Sequence, residues 1–442
     1  MNTDLTEGSI NKKLWAFSIP MLISVMFQQV YNIADSMIAG KFAGEDALAA
    51  VGASYPITML FIAVAMGCNI GCSVVISQLF GAKHFKDMKM AISTSYISCA
   101  ILSISLTIIG FIFSRPMMRL IHTPANIFRD GSLYLNIYIG GLTFLFLYNI
   151  CTGVFNALGD SRTPLYFLIG SSIGNIVLDL IFVRNFKMGV AGVAWATFIA
   201  QGISSILSLI TLIRRIHNMK ISEKCPLFSG HMLSRISLIA IPSILQQSFI
   251  SVGNMFIQNL VNGFGSAAIA GYSAAIKLNT FGITSFTTLA NGLSSYTAQN
   301  IGAGKIDRVK KGFKSGIGLA ICVVIPFFIA YFFFNHQMIH LFMNAESVKA
   351  MAVGKEFLVI TSPFYFVVSI KLMADGVLRG SGAMRYFMIS TFSDLILRVV
   401  ISYVLVNFFG ITGIWLSWPI GWTVGTALSY IFYKKGVWKS VH

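Results

Sequence analysis

Long apolar runs broken by short polar or Gly/Pro-rich joints set the rhythm of this chain. About twelve of them, each near or above the roughly 20 residues that cross a bilayer as a helix, lie at 14–39, 48–80, 91–114, 131–156, 165–183, 188–213, 237–262, 268–300, 315–335, 356–378, 386–408 and 411–433. Hydrocarbon offers backbone amides no water to bond with, so runs of this length are expected as helices. The longest polar stretch, RRIHNMKISEKCPLFSGHMLSR beginning at Arg214, separates the sixth run from the seventh. It predicts an N-terminal lobe at 1–213, a cytoplasmic linker at 214–236 and a C-terminal lobe at 237–442.

The pattern also repeats. IPMLISVMFQQVYNIADSMIAG from Ile19, followed by SQLFGAK, is echoed by IPSILQQSFISVGNMFIQNLVNG from Ile241, followed by AQNIGAG. Pro20, Phe27, Val30 and Asn32 fall on Pro242, Phe249, Val252 and Asn254, and Gln78 falls on Gln299. GNIVLD at Gly174 aligns with SDLILR at Ser393, and GVAGVAWAT at Gly189 with GITGIWLSW at Gly410. The fold expected is therefore all-α, with twelve transmembrane helices in two pseudo-symmetric six-helix bundles. A membrane protein made of two like halves reads as a transporter.

Composition agrees, with 56% hydrophobic and 11% charged residues where a soluble domain carries about 25% charged. With the N-terminus inside, the inner segments hold most of the 32 Lys and Arg, which places both termini in the cytoplasm and the chain in the cell membrane. The net charge of +17 fits basic loops beside anionic lipid rather than nucleic acid, since no recognition motif accompanies it. The polar leader MNTDLTEGSINKK has no apolar signal region, so no cleaved signal peptide is expected. The six cysteines, mostly inside spans, read as small packing residues, and no metal site is expected. Every histidine falls in a loop or near a span end and there is no HExxH, which argues against an intramembrane enzyme. GAGK at Gly302–Lys305 lacks the remaining parts of a phosphate loop, which argues against an ATP-driven pump.

Function is sought where charge is buried, because an ionisable residue at the centre of a spanning helix costs about 3 kcal/mol. Of 15 acidic residues, those within spans are Asp35, Asp179, Asp375 and Asp394. Asp179 follows Asn175 by four residues, which puts both on one helix face, and Thr197 in the next span can add an oxygen. Such oxygens suit a proton relay or a hard cation such as Na+. If Asp35 lies close to Asp179, their mutual repulsion favours proton capture. In the second half Lys371 with Asp375 and Asp394 with Arg398 form opposite-charge couples at helical spacing, the simplest way to hide charge from lipid.

The chain resembles the multidrug and toxic compound extrusion (MATE) family of transporters. The likeness rests on NIADSMIAG after the first proline, SQLFGAK, ALGDSRTP, GNIVLD with GVAGVAWAT, QNIGAG and VLRGSG, in order along both halves. It implies a V-shaped pair of six-helix bundles that exports bulky, often cationic, amphiphilic compounds in exchange for H+ or Na+, with no other cofactor. It also implies a first-half cation site at Asp35, Asn175, Asp179 and Thr197. The seventh span offers Gln246, Gln247, Asn254 and Asn259 in place of the acid that NorM-like members carry there, so a DinF-like first-half site is expected. Lys277, Lys371, Asp375, Asp394 and Arg398 complete the polar residues of the second half, in substrate or structural roles. Pro20 and Pro242 are expected hinges, since each removes a backbone hydrogen bond within a span. Partners expected are amphiphilic organic molecules and membrane lipid, with the chain acting as a monomer. A flippase for lipid-linked precursors, or a dedicated metabolite exporter, is the alternative.

Overall fold

A computed structural model describes residues 4–121, 123–219, 226–342 and 348–439. His122, His442, Cys225 and the middle of the expected linker lie outside the described residues. The helices are α1 (Ile10–Ile38), α2 (Glu45–Gly81), α3 (Phe85–Leu120), α4 (Ala125–Gly140), α5 (Leu142–Ala157), α6 (Arg162–Asp179), α7 (Gly189–Asn218) and α8 (Gly230–Asn262). They continue as α9 (Ser266–Gly302), α10 (Ile306–Phe333), α11 (Asn335–His340), α12 (Val348–Thr361), α13 (Tyr365–Ser381), α14 (Met384–Phe409) and α15 (Ile411–Lys435). Among the described residues there is no strand.

Each apolar run becomes one helix or one broken pair. Nine helical spans among the described residues are long and apolar enough to cross a bilayer, and α4 with α5, bent by 48° at Gly141, makes a tenth. The remaining two of the twelve are α9 and α15. Their Ser, Thr, Gly, Asn and Trp content lowers their hydropathy, and both carry large buried side chains: Tyr272, Phe286, Leu293 and Tyr296 of α9 and Trp415, Trp418 and Trp422 of α15. By contrast α3 exposes Ile101, Ile104, Ile108 and Ile112 along one stripe, a lipid-facing pattern.

The chain divides into two compact units. Unit 1 comprises residues 1–4 and Ile23–Ile244, and unit 2 comprises Leu5–Leu22 and Leu245–His442. The sequence-based lobes differ from these at two places. The first half of α1 packs with the C-terminal helices, and the first half of α8 packs with the N-terminal ones. Both helices run unbroken through Pro20 and Pro242. Loss of one backbone bond is absorbed by the helix on either side, and the passage between units comes just after each proline.

In unit 1, α2 packs on α3, α4 and α5, and α7 on α4, α5 and α6. In unit 2, α9 packs on α10, α12 and α13, and α15 on α12, α13 and α14. Close approach of α13 to α9 depends on Gly376, where a Cβ would sit 2.6 Å from the Ala290 carbonyl oxygen. An aromatic core fills the unit: Tyr272 stacks on Trp415 at 5.2 Å, and Phe357 meets Trp415 and Trp418 edge-on. Two of its tyrosine hydroxyls are paired, Tyr331 donating to the Leu278 carbonyl at 2.8 Å and Tyr365 to Asn279 Oδ1 at 3.0 Å.

Candidate functional site

Two groups of buried charge stand out, one in each unit, and they are built differently. In unit 1, Asp35 lies near the end of α1, Asn175 and Asp179 near the end of α6, and Thr197 on α7. Asp179 is fully buried and Asn175 is 2% exposed. The Asn175 amide is oriented so that its oxygen accepts from the Thr197 hydroxyl at 3.1 Å and the Thr197 backbone N–H at 3.0 Å. Its nitrogen then donates to Asp179 Oδ2 at 2.7 Å and faces the Tyr31 hydroxyl at 3.2 Å. The Asp35 and Asp179 carboxyls meet within hydrogen-bonding range, and Tyr134 of α4 is close enough to feel both charges.

One oxygen of each acid, Asp35 Oδ1 and Asp179 Oδ1, has no hydrogen-bond partner, and among the described residues neither acid has a salt bridge. Buried carboxylates are ordinarily paired, and these two oxygens are exceptions to that rule. Both acids also precede irregular backbone. π-helical turns at Ala39–Ala43 and Leu180–Asn185 follow α1 and α6 and pack on one another, and such turns recur at functional positions. Beside the cluster runs a crevice lined by Tyr134, Tyr138, Leu145, Thr197, Phe198 and Gln201, where α4 bends into α5 against α7.

Sequence reasoning missed the two tyrosines. Tyr31 precedes Asp35 by four residues and so shares its face, a signal available in the chain. Tyr134 comes from a helix remote in sequence and carried no such signal.

Unit 2 collects Lys371, Asp375, Asp394 and Arg398 into one buried network. Lys371 Nζ lies 2.8 Å from Asp375 Oδ2 and 3.7 Å from Asp394 Oδ2, and Arg398 lies 3.8 Å from Asp394 Oδ1. Asp375 also accepts from the Ser390 hydroxyl at 3.2 Å and the Ser429 hydroxyl at 2.5 Å. The Arg398 guanidinium stacks over Trp418 at 4.4 Å. Gly425 of α15 makes room for the Lys371 stem, since a Cβ there would lie 2.6 Å from Lys371 Cε and 2.9 Å from Asp394 Cβ. Two cations and two anions thus cancel inside the helices.

The other expected polar residues are not part of this network. On α8, Gln246, Gln247 and Asn254 are half-buried and Asn259 is exposed. Lys277 is exposed on α9, its ammonium 5.8 Å from the Phe342 ring. Arg379 is buried in the last turn of α13. There it donates to Asn291 Oδ1 at 2.5 Å and lies over the Phe387 ring.

The MatE family profile matches residues 20–181 and 242–404, one segment in each half of the repeat. The chain belongs to the MatE family. It is a multi-pass membrane transporter of that family, not an enzyme. It is 27% identical over 444 residues to "Probable multidrug resistance protein YoeA" of Bacillus subtilis (strain 168), covering 98% of this chain and 95% of the relative. It is 23% identical over 411 residues to "Multidrug export protein MepA" of Staphylococcus aureus (strain MRSA252), covering 92% and 90%. In fold it matches a MOP superfamily transporter from Pyrococcus furiosus Vc1 with a TM-score of 0.92 at 23% identity, covering 99% of this chain and 98% of that one. A Vibrio cholerae MATE transporter matches with a TM-score of 0.88 at 20% identity, covering 96% of each chain. The MatE fold, with its twelve helices in two bundles, is thus shared along nearly the whole length.

Proposed function

We propose that this MatE chain is a secondary active antiporter of the cell membrane, with both termini cytoplasmic. It exports amphiphilic, often cationic, drugs or toxic compounds in exchange for H+ or Na+ by alternating access, working as a monomer. Relatives named for multidrug resistance and multidrug export support the substrate class. The observation that carries the ion-coupled reading is the Asp35–Asp179 contact, buried and without a salt bridge among the described residues.

Two carboxyls in contact away from bulk water hold at most one charge comfortably. Either a shared proton or a bound cation relieves the pair, and the ion is chosen by what the membrane gradient supplies. Asn175 fixes the orientation of Asp179, and Thr197 fixes Asn175 in turn. Filling and emptying the pair changes the charge at the junction of α1 with α6. A rearrangement of α1 past Pro20 would convert that change into movement of substrate.

The Lys371 to Arg398 network argues against a flippase that grips pyrophosphate, because its cations are already occupied by Asp375 and Asp394. The test is efflux of ethidium from vesicles containing the purified protein, under H+ and Na+ gradients imposed one at a time. Export driven by one gradient and lost in Asp35→Asn and Asp179→Asn is expected. Absence of export under either gradient, from folded protein, would instead favour a lipid or metabolite exporter.

A further inference from the structure

The AQNIGAGK turn that repeats SQLFGAK takes no part in the ion cluster or the charge network, yet it holds a densely bonded segment. The chain just before α1 lies against it. Leu5 and Thr6 are 0% and 3% exposed although they stand near the start of the chain. The Leu5 N–H donates to Gln299 Oε1 at 3.0 Å, and the Leu5 carbonyl accepts from Asn300 Nδ2 at 3.3 Å and Arg308 Nη2 at 3.1 Å. Lys305 Nζ donates to the Thr6 carbonyl at 2.9 Å, and Arg308 Nη1 to the Gly8 carbonyl at 2.9 Å. Arg308 is itself braced by Asn300, Nε to Oδ1 at 3.0 Å. Segments near a chain start are ordinarily loose unless tied down, and this one is tied by side chains of α9, α10 and the turn joining them.

The repeat-related glutamine does the same for the other helix shared between the units. Gln78 Oε1 accepts from Arg235 Nη2 of α8 at 3.4 Å, and just upstream the Ser229 N–H donates to Thr94 Oγ1 of α3 at 3.1 Å. These bonds hold the start of α8 within unit 1, as the strap holds the start of α1 within unit 2. Gln78 and Gln299 are therefore equivalent anchors for the two helices that pass from one unit to the other.

We propose that the Leu5–Gly8 strap is a fixed anchor that stays bonded throughout transport. It ties the first half of α1 to unit 2, so that a charge change at Asp35 in the second half of the same helix is transmitted through α1 rather than dissipated. This rests on the reading of Asp35 as part of the coupling site. The anchor works through backbone carbonyls held by one arginine and one lysine and through a buried amide pair, bonds that are costly to leave unmade.

The test uses the full-length protein in vesicles with ethidium. Gln299→Ala combined with Arg308→Ala should bind ethidium as the unaltered protein does and export it about tenfold more slowly, a rise of about 1.4 kcal/mol in the barrier to the rate-setting step. In a background whose native cysteines are replaced by alanine, Thr6→Cys with Lys305→Cys joined by a short dithiol-reactive linker should export at the rate of the cysteine-free background with Thr6 and Lys305 intact. Full-speed export by the Gln299/Arg308 double variant would overturn the anchor, and so would arrest of export on linking Thr6 to Lys305. The ion-site reading fails separately, when Asp35→Asn alone exports as the unaltered protein does.

Discussion

Each unit holds two aspartates in its spanning helices, all buried except the half-buried Asp35, and the two units solve the resulting problem in opposite ways. Unit 2 surrounds Asp375 and Asp394 with Lys371, Arg398 and two serine hydroxyls, so its charge is internally balanced. Unit 1 brings Asp35 and Asp179 together with amide and hydroxyl partners but no cation among the described residues. A balanced network has little reason to exchange an ion with the outside. An acid pair lacking a cation has room for one, and the proposed function builds on that asymmetry, giving structure to one repeat and ion exchange to the other.

The contrast breaks first at Lys371. Lys371→Met would leave two buried carboxylates short of a cation, and breaking a buried pair from one side costs about 3–5 kcal/mol. Thermal unfolding of the detergent-solubilised protein should show that loss, and adding Asp375→Leu should recover much of it. Unchanged stability would remove the structural assignment of unit 2. Asp179→Asn should do the reverse, leaving stability nearly intact while gradient-driven ethidium export falls by about 100-fold, within the usual range of coupling energies.

A finer probe is Gly425→Ala, which pushes a methyl into the Lys371 stem and should cost about 1–3 kcal/mol by overpacking. Its export rate at saturating ethidium should change little, since the acid pair lies in the other unit. The smallest effect is expected at Asp160, an acid of unit 1 that does have a cation. It joins the turn between α5 and α6 to Arg215, and it accepts from the Thr163 hydroxyl at 2.6 Å and the Thr163 N–H at 3.1 Å. Burial works against its charge, but the Thr163 and Arg215 contacts outweigh that and hold its carboxyl below the usual range. A depressed carboxylate pKa stabilises the fold above the unfolded value of about 3.9 and loses that contribution as pH falls through the folded one. Asp160→Asn should therefore cost about 1–2 kcal/mol at neutral pH and progressively less in acid, as read from unfolding midpoints.

The sequence disclosed the elements better than their assembly. Lipid imposes long apolar helices, so even α9 and α15 could be marked as spans although their Ser, Gly and Trp content dilutes the signal. Helical spacing likewise disclosed Asn175 with Asp179, Lys371 with Asp375 and Asp394 with Arg398, because four residues put side chains on one face. It did not disclose that Lys371 also reaches Asp394 on a different helix, that Ser429 of α15 caps Asp375, or that Tyr134 approaches the acid pair. Those depend on which helices adjoin, which no local pattern encodes. The polar leader read only as lacking a signal peptide, and its strap became visible once Gln299 and Arg308 were placed beside it. The division of α1 and α8 between units was hidden for the same reason, since each is a single uninterrupted apolar run.

Linkage between ion and substrate tests the division of labour most directly. Ethidium affinity for the purified protein would be measured by fluorescence across pH and across Na+ concentration, for the unaltered protein, Asp179→Asn, and Lys371→Met combined with Asp375→Leu. Coupling at the acid pair of unit 1 predicts an affinity that depends on one of the two ions, keeps that dependence in the unit 2 variant and loses it in Asp179→Asn. Persistence of the full ion dependence in Asp179→Asn, with its loss in the unit 2 variant, would contradict the assignment and move ion exchange to the Lys371–Arg398 network.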